Sequence, residues 1–259
     1  MACFLFNDIV FGPVISRRLG ISLGINLLPL NKKVCTFDCI YCECGWTLPD
    51  SLDFKSFHKS EDVAAALKSK LEIIKAQGVK LDNITFAGNG EPTMHPHFAE
   101  IIDNVVALRD TYYPQVSISV LSNATTLSDN NVKAALKKID KPILKLDAGD
   151  KRLINLINRP LVEIDPDKII ENLINSKIDN VIIQSMFLKG HHAGNSIDNT
   201  TEEAVNKWLE ALKAINPIAV MIYSIARETP AQDLIKIGTE ELEAIAKKAR
   251  ALGFSVSAY

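Results

Sequence analysis

Short runs of apolar or β-branched residues recur along the chain at Ile21–Leu27, Asn83–Ala87, Val116–Leu121, Pro142–Leu146, Asn180–Phe187 and Ile218–Tyr223. Between them lie longer segments whose apolar positions return at helical spacing: Glu61–Ala76, His97–Thr111, Ser128–Ile139, Asp165–Ser176, Thr201–Ile215 and Thr239–Leu252. The short runs predict buried strands and the periodic segments predict amphipathic helices. Most strand starts are about 26–38 residues apart, the length of one strand-plus-helix unit. Strands alternating with helices predict an α/β fold with a parallel sheet built from right-handed βαβ units. A last run, Phe254–Tyr259, predicts an edge strand. Ser60 and Ser128 stand where helix caps belong, and Asp165-Pro166 places an Asp cap before a first-turn proline. No Gly/Ser linker or low-complexity tract divides the chain. The pattern therefore predicts a single domain over residues 1–259, with residues 1–19 as an N-terminal extension packed on it.

Six such units suit either a doubly wound sheet or a partial barrel, and both put chemistry at the carboxyl ends of the strands. The polar motifs obey that rule. Cys35 to Cys42 follow the first strand, and Gly88-Asn89-Gly90-Glu91-Pro92 follows the second. Ser122-Asn123 follows the third, Lys145 and Asp147 end the fourth, and Gln184 to Phe187 end the fifth. Ser16-Arg17-Arg18-Leu19-Gly20 precedes the first strand. Its arginines can clamp a carboxylate or phosphate in fork geometry, and a solvated turn is the competing account. His95, His97, His191 and His192 lack the spacing of a metal site. The segment Gly190 to Asn195 has the polarity of a loop facing a substrate. Tyr223 and Arg227 are candidate substrate contacts.

Composition narrows the function classes. The chain has 259 residues, 47% hydrophobic and 23% charged, with a net charge of −2. That supports a sizeable core and does not favour a nucleic-acid backbone as the default partner. No apolar stretch reaches the length of a membrane span, and the start lacks the basic and small-residue features of a signal peptide. Five cysteines in so long a chain are cytosolic usage, which predicts a reducing, cytoplasmic setting. There is no P-loop, no dinucleotide-binding glycine fingerprint and no nucleophile elbow.

Cys35, Cys39 and Cys42 form a C-x3-C-x2-C unit. It supplies three thiolates from one short loop, whereas a four-iron cube normally takes four protein ligands. Three leave one metal position open, as a catalytic site requires. Structural zinc and an electron-transfer iron–sulfur centre remain alternatives, with Cys44 as a possible fourth ligand and Cys3 a further spare thiol. Tyr41, an aromatic directly before the third cysteine, completes the pattern that resembles the radical S-adenosylmethionine (SAM) enzymes.

That resemblance implies a partial (β/α)6 TIM-like barrel, a [4Fe–4S] cluster on Cys35, Cys39 and Cys42, and SAM on the open iron. It implies that Gly88, Asn89, Gly90 and Glu91 hold the methionine end of SAM. Ser122, Asn123, Lys145 and Asp147 would serve its ribose and carboxylate, with Gln184 and Met186 on the adenosyl side and Tyr41 beside the cluster. It further implies an electron donor such as flavodoxin or ferredoxin, reductive cleavage of SAM to methionine and a 5′-deoxyadenosyl radical, and hydrogen abstraction from a substrate. The runs Phe11–Gly20, Leu146–Asp150, Ile157–Pro160 and Gln184–Leu188 look like those of small radical SAM proteins similar to the catalytic core of the wyosine-forming tRNA enzyme. A small-molecule substrate is favoured. A tRNA substrate, a protein substrate of the glycyl-radical kind, and a non-enzymatic metal protein are the other readings.

Overall fold

Residues of alternating parity along a strand face opposite sides of its sheet, so polarity decides which side becomes core. The computed structural model describes residues 4–48, 56–161 and 164–259. In chain order it contains β1 (Val10–Ser16), β2 (Gly20–Ile25), α1 (Ser60–Ala76), β3 (Asn83–Phe86), α2 (Phe98–Tyr112), β4 (Ser117–Ser122), α3 (Asn130–Leu136), β5 (Lys141–Lys145) and α4 (Lys151–Ile157). There follow α5 (Pro166–Ile174), β6 (Ile182–Met186), β7 (Leu188–His192), β8 (Asn195–Asp198), α6 (Glu202–Ile215), β9 (Ala219–Tyr223), β10 (Leu234–Lys236), α7 (Thr239–Arg250) and β11 (Val256–Ala258).

The main sheet has eight strands in the order β1-β2-β3-β4-β5-β6-β9-β11. From β2 to β11 every neighbouring pair is parallel. The sheet is a curled half-barrel, parallel as the alternation predicts and curled as the resemblance implies, and β11 is the expected edge strand. β1 is an addition. It pairs antiparallel with β2, with a register shift between Phe11 and Val14. Gly12-Pro13 interrupts its strand signal in the sequence, which is why the segment looks like an extension rather than a strand.

One parity of the central strands, including Leu23, Ile25, Ile84, Phe86, Ile118 and Val120, joins the helices in a continuous core. Helix α1 contributes Val63, Leu67, Leu71 and Ile74, one face of the cylinder. The opposite parity is polar and internally paired. Ser22 Oγ meets Thr85 Oγ1 at 2.6 Å, and Asn83 donates to Ser119 Oγ at 2.6 Å. Buried polar groups persist only with such partners. A parallel sheet covered on both faces would show continuous apolar runs; Asn-Ile-Thr-Phe in β3 alternates because its second face lines the barrel interior.

Several local expectations need correction. Ser60 is the first residue of α1, and the cap position is Lys59, which makes no side-chain cap bond. Asp129, not Ser128, caps α3 by accepting from Asn131 N. Asp165 does cap α5, with Pro166 in its first turn. Gly190 to Asn195 is not an open loop. It belongs to a β7–β8 hairpin, with β10 paired on the other side of β7. Ala193 and Gly194 both have positive φ, which matches the two-residue turn that follows strand twist. Among the described residues no helix is long and apolar enough to cross a membrane.

Trp208 in α6 ties helix to sheet. It is buried, its Nε1 donates to Ser185 Oγ at 2.9 Å, and its ring lies edge-on to Phe187 at 5.2 Å between centroids. Trp208→Ala should therefore cost about 3–5 kcal/mol in urea unfolding. A loss below about 1 kcal/mol would contradict this packing.

Candidate functional site

The described part of the segment after β2, up to Leu48, is fastened at several points. Ile40 N donates to Ile157 O at 3.0 Å and Asp38 N to Asn158 O at 3.0 Å, which tie it to the end of α4. Asp38 Oδ1 in turn accepts from Thr47 N at 2.7 Å. Between these anchors the loop turns tightly, with Cys42 N on Cys39 O at 3.1 Å and Gly45 N on Cys42 O at 2.9 Å. Cys35, Cys39, Cys42 and Cys44 all line one cavity of about 180 Å3. None of these four is in a disulfide. Cys3 lies outside the described residues.

The sulfurs already accept amide hydrogen bonds. Phe37 N lies 3.4 Å from Cys35 Sγ and Asn123 Nδ2 lies 3.5 Å from it, and Asn158 Nδ2 lies 3.4 Å from Cys39 Sγ. Donors of this kind favour charged sulfur and are what tune iron–sulfur ligands. Among the described residues no three His, Cys, Asp or Glu side chains converge closely enough to hold a single metal ion. A polynuclear cluster makes no such demand, because each thiolate serves a different metal corner.

The glycine loop after β3 is clamped to the cysteine loop by backbone. Val34 N donates to Asn89 O at 2.8 Å, and Glu91 N donates to Val34 O at 2.9 Å. Gly90 has φ +138°, and a Cβ there would stand 1.7 Å from Val34 O. Only glycine permits that approach. Gly88 and Gly90 border the cavity, as does Glu91. Asn89 does not. Its side chain accepts from Phe6 N at 2.8 Å and donates to Pro29 O at 2.9 Å, so it braces the loop from behind. The Glu91 carboxylate accepts from Thr93 N at 3.1 Å and Asn123 N at 2.6 Å. Burial pushes its pKa up against those bonds. Glu91 thus joins the glycine loop to Ser122-Asn123, both of which line the cavity.

The far wall is built on Asp147. This carboxylate, 1% exposed, accepts from Asn158 Nδ2 at 2.6 Å and Met186 N at 2.8 Å, and closely from the Tyr41 hydroxyl. Lys145 Nζ donates to Tyr41 Oη at 2.6 Å and stands 3.6 Å from Asp147. Burial opposes the charge on Lys145, but Asp147, Tyr223 and Cys39 together outweigh it and hold the ammonium protonated. Lys145, Tyr41 and Gln184 line the cavity. Asp147 and Met186 stand behind it, with the Met186 side chain in the core.

Lys33 is a site residue that motif reasoning missed. Only 4% exposed, it faces the thiols, donates to Gly45 O at 2.9 Å and lies 3.8 Å from Asp38. Burial works against its charge, while Cys42, Cys35, Cys39 and Asp38 hold it charged. Its signal was the position two residues before Cys35, where a lysine lowers thiol pKa; Lys32-Lys33 has the look of a surface pair. Asn158 was visible only inside the run Ile157–Pro160. The histidines stay apart from the cavity. His95 bonds His58 O at 2.7 Å, and His192 bonds Arg159 at 2.6 Å and stacks on Trp46. Arg227 pairs with Glu43 of the cysteine loop, and Tyr223 Oη lies 3.5 Å from Lys145 Nζ.

Residues 33–195 match the model of the radical SAM superfamily. A UPF0026 protein of Methanocaldococcus jannaschii is 34% identical over 213 residues, covering 81% of this chain and 61% of its own length. The chain thus spans about three-fifths of that relative. A radical SAM methyltransferase from Sphaerobacter thermophilus shares the fold at TM-score 0.66 and 13% identity, over 92% of this chain and 65% of that one. TYW1 with a lysine-pyruvate adduct bound does so at TM-score 0.57 and 15% identity, over 89% of this chain and 73% of that one.

The thiols differ in acidity for stated reasons. Burial pushes Cys35 up to about 12 and Cys39 up to about 11, against the pull of Lys33 on the first and Lys145 on the second. Cys42 is held below the ordinary thiol range by the hydrogen bond from the Cys44 thiol, which is itself pushed up. In metal-free protein at pH 7 to 8, iodoacetamide should alkylate Cys42 at least about tenfold faster than Cys35 or Cys39, by peptide mass spectrometry. Raising the pH toward their higher values should narrow the gap. Equal rates at neutral pH would contradict the assignment.

Proposed function

Because the chain belongs to the radical SAM superfamily, we propose that Cys35, Cys39 and Cys42 hold a [4Fe–4S] cluster with SAM beside it, in an enzyme that cleaves SAM reductively. The observation that carries this reading is one cavity bordered by the three thiols, the glycine loop and the strand-end polar residues. The donor set fits the group. It offers soft thiolate ligands, amide donors to two of the sulfurs, and a glycine loop held against the cysteine loop where a side chain at Gly90 would strike Val34 O. Bound there, cluster and SAM would supply one-electron radical chemistry for taking hydrogen from a substrate.

The protein's residues do the holding. Lys33 offsets negative charge among the thiolates. Lys145, kept protonated by Asp147, Tyr223 and Cys39, offers a cation to the carboxylate of SAM. Ser122, Asn123 and Gln184 offer hydroxyl and amide partners for its ribose and adenine, which need them away from water. Asn89, Asp147 and Met186 serve by bracing the walls rather than by touching the ligand. The flanking apolar groups, Phe37 and Leu121, keep water from the reacting atoms. One-electron reduction falls to a flavodoxin- or ferredoxin-like donor in the cytoplasm. The chain acts as a single domain on a small molecule.

Anaerobic reconstitution with iron and sulfide, followed by dithionite and SAM, should yield 5′-deoxyadenosine above a no-protein control. Cys39→Ala should reduce that yield to the control level and abolish the cluster's visible absorption, with an unchanged far-ultraviolet circular dichroism spectrum. An intact cluster in wild type with neither SAM binding nor 5′-deoxyadenosine would point to electron transfer instead. A full cluster in the Cys39→Ala variant would overturn the ligand set.

A further inference from the structure

A second cavity, of about 1050 Å3, adjoins the thiol cavity, and Ala87 and Leu121 form wall in both. Its size is that of a small-molecule site. Four cations, Arg17, Arg18, Arg227 and Lys236, border it against two carboxylates, Glu43 and Glu228. Arg227 is committed to Glu43. The remaining charge is therefore positive in a chain whose net charge is −2.

Arg18 is the group built to use that charge. It is half-buried, and the Ser16 hydroxyl fixes its turn by accepting from Arg18 N at 3.3 Å and Leu19 N at 3.2 Å. Its NH1 donates to Gln184 Oε1 at 2.9 Å, and its guanidinium lies over the Tyr223 ring at 4.7 Å. Both partners are neutral, and no carboxylate of the described residues pairs with it. A guanidinium oriented in this way keeps its charge and its other donors for a ligand. Gln184 lines the thiol cavity, so the held edge of Arg18 marks the border between the two. Phe6 and Phe11 give the cavity an aromatic, apolar stretch of wall. Phe11 stacks on Phe6 with centroids 3.6 Å apart, and a Cβ on Gly24 would lie 2.1 Å from Phe11 Cζ. The bare backbone at Gly24 is what lets the Phe11 ring lie across β2. An apolar body suits such a wall.

Resting on the reading of the thiol cavity above, we propose that the larger cavity is the substrate site. It takes a small molecule with an apolar body and one carboxylate or phosphate, the anion on Arg18 and the body against the Phe6–Phe11 pair and Leu121.

The test is calorimetric titration of the cluster-loaded protein with phenylacetate, phenyl phosphate and neutral phenylacetamide. At least one anion should bind about tenfold or more tighter than the amide, the effect of a charge-assisted hydrogen bond. The tighter anion identifies carboxylate or phosphate as the group recognised. Arg18→Gln should weaken that anion about tenfold or more, and Arg18→Lys should restore part of the loss, with circular dichroism confirming the fold of both. Should neither variant fold, excess inorganic phosphate should displace the anion from wild type. The inference is overturned if the amide binds as well as the anions, if neither anion binds, if Arg18→Gln binds as wild type does, or if phosphate fails to compete. Wild type that cleaves SAM but binds no anion would sink this inference alone. Anion binding without SAM binding would sink the reading of the thiol cavity and leave this site standing.

Discussion

Asp147 places a carboxylate in the interior, and the site hangs from it. Left unpaired, such a group costs several kcal/mol. Here it accepts from Tyr41 of the cysteine loop, Asn158 at the end of α4 and the Met186 backbone at the end of β6. Its own backbone carbonyl accepts from Asn199 at 2.8 Å. One charge thus sets the spacing of the loop, a helix end and two neighbouring strands. It also helps keep Lys145 cationic beside buried thiols. Half-satisfied polar networks are worse than apolar packing, so each member holds the others in place.

The second fixture is the backbone clamp between Val34 and the glycine loop. It differs from the Asp147 network in having no side-chain alternative, because Gly90 alone admits the Val34 carbonyl. Together the two fixtures hold the cysteine loop from opposite sides. The thiols meet a metal on a frame set by hydrogen bonds, and the raised pKa values of Cys35 and Cys39 mean that metal must displace their protons to bind.

The parallel α/β sheet was legible because its signals are long and regular, while its closure into a half-barrel came only with the family resemblance of the cysteine motif. Helical periods and β-branched runs survive small boundary errors, and Cys35, Cys39 and Cys42 carry their chemistry in their spacing. What escaped was set by tertiary contact. The strand β1 is masked by Gly12-Pro13, and the β7–β8 hairpin uses Ala193 and Gly194 instead of the favoured Asn-Gly. Lys33 is an ordinary lysine until the fold buries it. Asn89, Asp147 and Met186 were found as motif members but do not border the thiol cavity, since a motif gives a residue's place in the chain and not the direction of its side chain.

The cysteine loop depends on partners far along the chain. Tyr41 is 106 residues from Asp147, and Cys39 is 119 from Asn158. A ribosome emits the chain from its N-terminus at about 5–20 residues per second. The thiols therefore emerge several seconds before the groups that fix them exist. During that interval no frame separates them from oxidants or stray metal ions. Assembly of this centre is a matter of timing as well as affinity, and its most vulnerable moment comes while the protein is still being made.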